Sequence, residues 1–124
     1  MSTEQRPPVW IGHVTLRTRV LGESEAFMKL IGMRTIFRGE EVAVLELRGG
    51  THVVLIEDAA AEPAKADFDL MVEDIDATYA DYQANGFPLT DMHEGRVHKS
   101  FTVTEPGGHR IVVNSTHVPD HDRV

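Results

Sequence analysis

One pattern of turns occurs twice along the 124 residues, and it limits the folds open to the chain. Gly32-Met33 is matched by Gly86-Phe87, and the same interval counted backwards sets His13 on Asp67. Gly49-Gly50 is matched by Gly107-Gly108, which sets Val54 on Val112 and His52 on Arg110. A chain built from two copies of one unit packs them against each other, because each copy alone leaves its apolar face in water. The expectation is a pair of units around a pseudo-twofold axis.

The elements inside each copy follow from periodicity. Residues 9–18 read as a strand, with Val14 and Leu16 on one face and His13, Thr15 and Arg17 on the other. Residues 21–31 read as a helix stopped by Gly32, with Phe27, Leu30 and Ile31 at helical spacing. Strands follow over 34–38, 41–48 and 51–57, then a linker over 58–66. The second copy opens with a strand over 67–73, with Phe68, Leu70 and Val72 on its apolar face. Its helix spans 74–85, with Asp74 as N-cap, Ile75, Tyr79 and Tyr82 as the stripe, and Gly86 as the stop. Residues 88–93 form a short edge strand.

The stretch 97–117 closes the copy as strand, turn and strand. Phe101, Val103, Ile111 and Val113 share one face, while His98, Ser100, Thr102, Arg110 and Asn114 share the other. Glu105-Pro106-Gly107-Gly108 supplies the turn. His109 faces the apolar side by parity and reads as structural. A solvated face would carry Lys and Glu; imidazole, hydroxyl, guanidinium and amide groups are what a small-molecule pocket needs. The fold class is therefore α+β: two tandem βαβββ units, residues 9–57 and 67–116, forming a curved mixed sheet with its helices outside. Residues 2–8 are a leader, 117–124 a polar tail holding His117 and His121, and 1–124 one domain. The residues expected between sheet and helices are Phe27, Leu30, Ile31, Val53, Leu55, Phe68, Leu70, Tyr79, Phe101, Val103, Ile111 and Val113.

Composition excludes several classes. With 20 acidic and 12 basic residues, net charge −8, the chain lacks the basic footprint that nucleic acid requires. It has no cysteine, hence no disulfide and no thiolate metal site. No apolar run approaches the ~18 residues of a membrane span, and a cytoplasmic location is the expectation. No nucleophile elbow surrounds Ser100, and the Gly-Gly pairs lack the pattern of a phosphate loop.

Gly12-His13-Val14-Thr15-Leu16, Ala26-Phe27 with Gly32-Met33, Phe68-Asp69-Leu70-Met71-Val72 before Asp74-Ile75-Asp76, and Phe101-Thr102-Val103 before Glu105-Pro106-Gly107-Gly108-His109 together resemble the vicinal oxygen chelate superfamily, the glyoxalase, bleomycin-resistance and extradiol-dioxygenase group. The resemblance covers about residues 11–117. It implies a cup for a small-molecule ligand and commonly a homodimer in which two curved sheets complete each other's cups. In metal-dependent members the ligands lie on the first and last strands of each half, which correspond to His13, Val54, Asp67 and Val112 here. Two valines cannot ligate a metal. A shifted set of His13, His52 and His98 with Asp69 or Asp67 would suit Zn, Fe(II), Mn, Co or Ni.

Two functions remain open. In the first, a metal-dependent lyase, isomerase or dioxygenase uses the metal as Lewis acid, with His13 and His98 as ligands or general bases. Arg17 or Arg110 then orients a substrate carboxylate, and Asp67, Ser100, Thr102 and Asn114 contribute polar contacts. In the second, a metal-free protein binds and sequesters a compound. Val54 and Val112 favour the second; the polar, His-bearing face favours the first.

Overall fold

The computed structural model of the protein describes residues 7–116. The order is β1 (His13–Thr18), α1 (Leu21–Leu30), β2 (Arg34–Arg38), β3 (Val42–Glu46), β4 (His52–Glu57), β5 (Lys65–Val72), α2 (Ile75–Ala84), β6 (His93–Glu94), β7 (Lys99–Thr104) and β8 (Arg110–Ser115). This is βαβββ twice. Each half makes a four-stranded sheet, ordered β1-β4-β3-β2 and β5-β8-β7-β6, with its first and last strands parallel. The described residues contain no helix long and apolar enough to cross a membrane. The tail from 117 onward, with His117 and His121, and leader residues 1–6 lie outside the described residues.

Register follows burial. Val53 and Leu55 on β4, Val103 on β7, and Ile111 and Val113 on β8 are fully buried, and Phe101 nearly so. Because successive strand residues point to opposite faces, this fixes His52, Val54, Thr102, Val112 and Asn114 on the other side. β5 takes four residue steps from Lys65 to Asp69 where β8 takes two from Arg110 to Val112. An even insertion bends the strand yet keeps parity, so Asp67 and Asp69 still share a face.

The helices cover the apolar face. Met28 is fully enclosed, and Leu21 and Phe27 join it from α1. Leu30, expected in the core, is 59% exposed. The buried stripe of α1 runs through Leu21, Ser24, Phe27 and Met28, which turns Leu30 outward. Phe27 packs on Phe87, and Phe87 on Tyr82, so aromatic rings tie α1 to the second half. Ile31, Phe68, Leu70 and Tyr79 are partly buried against the same core.

The α2 N-terminus is closed by Asp74, whose Oδ1 accepts from Ala77 N–H at 3.0 Å. The α1 N-terminus has no such side chain at its cap residue Val20; Glu57 of β4 accepts from Leu21 N–H at 3.0 Å instead. Lys99, the one cation on the apolar side of β7, reaches Asp76 in the first turn of α2 at 2.8 Å.

Candidate functional site on the polar sheet face

On the first sheet His13 and His52 are register partners across the parallel β1–β4 pair. Their rings lie 5.5 Å apart, tilted by 32°. The same row continues through Glu46 to Arg34, which form an ion pair. One step along, Thr15, Val54, Val44 and Phe37 make a largely apolar row. Arg17 is exposed at the far end of β1, 3.4 Å from Asp58.

On the second sheet Asp69, Val112 and Thr102 form one row, and Met71, Asn114, Ser100 and His93 the next. Asn114 Nδ2 donates to Asp69 Oδ2 at 3.0 Å. Arg110 is exposed opposite Lys65 and Thr104. His98 precedes β7, where its Nδ1 meets the Ser115 carbonyl at 2.7 Å. A shallow cleft of about 600 Å³ runs along β5, lined by Asp67, Asp69, Val112 and Asn114 among others. Lys65, Ala66 and Asp67 also border a second cleft of about 460 Å³, which extends to Thr15, Arg17 and His109.

The expected convergence of His13, His52, His98 and Asp69 on one point is not found in the single chain. Among the described residues no three His, Cys, Asp or Glu side chains gather as a metal would need. Parity puts residues on a common face, but these four divide between two sheets that share no ladder. His13 stacks toward His52, and Asp69 holds Asn114.

Sequence reasoning passed over a buried polar cluster where the halves meet. Glu105 has a fully buried side chain. Its Oε1 accepts from Ser24 Oγ at 2.6 Å. Its Oε2 lies 2.6 Å from His109 Nδ1 and 3.1 Å from His109 N–H. Ser24 also meets Thr18 Oγ1 at 2.8 Å. Since Ser24 spends its proton on Glu105, Thr18 donates to Ser24 and accepts from Val20 N–H at 3.1 Å. A carboxylate without water is tolerated only when its oxygens are satisfied, and here three donors satisfy them. The signal in the sequence was Ser24 on the apolar stripe of α1, together with a Glu and a His flanking a Gly-Gly turn.

The architecture has close counterparts. Lactoylglutathione lyase from Agrobacterium tumefaciens superposes with a TM-score of 0.76 at 19% identity, covering 89% of this chain and 96% of that one. TnmS3, an antibiotic-binding protein from a Streptomyces species, gives 0.73 at 15%, covering 87% and 96%. A bleomycin-binding protein in complex with bleomycin gives 0.69 at 14%, covering 88% and 99%. At these identities the likeness concerns the fold. No functionally curated protein matches the chain by sequence. The family model described as glyoxalase/bleomycin resistance protein/dioxygenase superfamily matches residues 10–113, nearly the whole of both βαβββ halves. The repeat, the paired open sheets and that match agree, and the chain belongs to the glyoxalase/bleomycin resistance protein/dioxygenase superfamily.

Proposed function

We propose that the two halves act as one small-molecule-binding unit that takes its ligand on the polar face along β5 and β8 and holds no resident metal. The observation that carries this reading is the donor set. The family's usual ligand positions include Val54 and Val112, and among the described residues the remaining His and Asp side chains do not assemble a third donor around any one point. What lines the cleft instead is polar chemistry beside apolar surface: Asn114 on Asp69, the charged Lys65 and Asp67, and Val112 and Phe68. That mixture is suited to orienting a bound compound. Two of the neighbours, by their names, bind antibiotics. The test is a thermal-shift screen of compact natural products on chelator-treated protein. A ligand at ~100 times its Kd adds about 2.7 kcal/mol to stability, a shift of several degrees. Stabilisation only when a divalent metal is added would overturn the reading.

One observation favours a second reading, a metal-dependent lyase, isomerase or dioxygenase. His13 and His52 already stand side by side, and a second copy of the chain would have to supply the remaining donors. That reading predicts heat on titration with Zn, Mn or Ni. It also predicts that His13→Ala abolishes uptake without unfolding the protein. The same proposal sets the protein in the cytoplasm as a homodimer.

A further inference from the structure

His109, a member of the buried polar cluster, also borders a cleft. The cleft of about 460 Å³ lies between β1, the linker and β5, and His109 forms part of its wall. Only 8% of its side chain is exposed. Every fully buried side-chain nitrogen and oxygen among the described residues has a partner. The ring bond of His109 is made by Nδ1, to Glu105. Nε2 has no partner among the described residues, so it is not a fully buried atom.

Donor accounting fixes the tautomer. Glu105 receives Ser24 O–H on Oε1 and the His109 backbone N–H on Oε2. A carboxylate so surrounded is an acceptor, so the 2.6 Å contact with Nδ1 needs the proton on Nδ1. In the neutral ring that leaves Nε2 as the unprotonated nitrogen. Gly107 keeps the arrangement compact. A Cβ there would stand 2.5 Å from Thr18 Oγ1, 2.6 Å from Glu105 Oε2 and 3.2 Å from His109 Nδ1.

We propose that His109 is a proton acceptor presented to this cleft, with Glu105 holding the opposite nitrogen, and that the ligand carries an acidic hydroxyl for Nε2. In the transfer the ligand O–H bond breaks and an Nε2–H bond forms. The ligand is left as an oxyanion and the imidazole as a cation beside Glu105; the proton returns before release. The charges around the cleft balance, Arg17 and Lys65 against Glu62 and Asp67. The ligand class is accordingly a neutral or zwitterionic molecule bearing an enol or phenol rather than a strong anion. This goes beyond the small-molecule reading, at the neighbouring cleft that shares Lys65, Ala66 and Asp67 with the one along β5, and rests on that reading for the ligand, but the state of the imidazole is measurable without one.

Long-range proton–nitrogen NMR on the free protein near pH 7 reads the tautomer directly. Diethyl pyrocarbonate followed by peptide mass mapping reads access to Nε2. The expected result is an unprotonated Nε2, carbethoxylated in the native fold. Glu105→Gln should move the proton to Nε2 and slow that modification about tenfold. Ser24→Ala leaves the Glu105–His109 bond in place and should retain most of the reactivity, which covers the case in which Glu105→Gln does not fold. A protonated Nε2, or a His109 inert while exposed histidines react, would overturn the proposal. Failure of the ligand screen with these NMR and mapping results intact would instead count against the binding reading.

Discussion

Gly107 shows how a single atom bears on the joint between the halves. A Cβ on this residue would meet Thr18 and Glu105 at distances that Cβ atoms essentially never show and would press on His109, and the crowding atoms belong to one hydrogen-bonded cluster. Gly107→Ala should destabilise the protein by about 2 kcal/mol, the scale of overpacking in a close-packed site. Urea unfolding measures it, and a change below half that would mean the cluster is loosely held. Glu105→Ala removes the acceptor from three buried donors and should be worse, about 3 kcal/mol. At the sheet face the effects are smaller. Asn114→Ala frees Asp69 on the cleft floor without touching the core, so it should weaken ligand binding about tenfold and leave the melting temperature nearly unchanged.

Each helix is held by contacts that its own residues cannot supply alone. Asp74→Ala should cost about 1 kcal/mol through loss of the α2 N-cap. On α1, burial pushes the Glu25 carboxyl upward, but hydrogen bonds from Thr35 and Arg38 and the charges of Arg38 and Lys29 outweigh it and hold the group below its usual value. A lowered folded-state value means that this contribution is present above the ordinary carboxylate range and is lost as pH falls through the lowered one. Glu25→Gln should flatten the acid limb of a stability-against-pH curve below about pH 4.5, by on the order of 1 kcal/mol. Tyr82 on α2 behaves in the opposite sense. Burial, with a smaller push from Asp81, raises its phenol to about 12. Stability is complete below the unfolded value near 10 and falls between pH 10 and 12, because folding must keep the phenol protonated. Tyr82→Phe should remove that alkaline loss, which thermal melts across this range would detect.

At the scale of the molecule, the surface carries apolar groups that a small soluble domain rarely leaves open. Trp10 is 70% exposed, with Val9 and Ile11 beside it and Phe37, Met71 and Val97 elsewhere. The outer edges of the short β6 and of β2 have no partner strand among the described residues. Both features are covered if two copies associate, and light scattering should give twice the 13.8 kDa chain mass at micromolar concentration. Trp10→Ser should shift that equilibrium toward the single chain; a monomer in both would remove the homodimer from the proposal.

Local chemistry decided most of the architecture. Alternation along Phe101-Val103 and Ile111-Val113 assigned the sheet faces and Asp74 marked a helix start, both of which depend on neighbours within a few residues, while the glycine pairs set the repeat by their spacing along the chain. Strand ends were overrun, as at residues 9–12, because an extended segment with strand composition pairs only where a partner lies alongside. Leu30 lies outside the core although Phe27, Leu30 and Ile31 fit a helical stripe as well as Leu21, Phe27 and Met28 do, and only the packing of α1 on its sheet chooses between them. Parity correctly put His13, His52, Asp69 and Asn114 on the polar face, yet it carries no information on distance between sheets. That is why the pairing of His13 with His52, and of Asp69 with Asn114, emerged only from tertiary structure. The contact between Ser24 and Glu105 spans 81 residues, and no local pattern encodes it. It exists because two copies of one unit pack with α1 against the β7–β8 turn, and a buried carboxylate then needs whatever donors that packing brings.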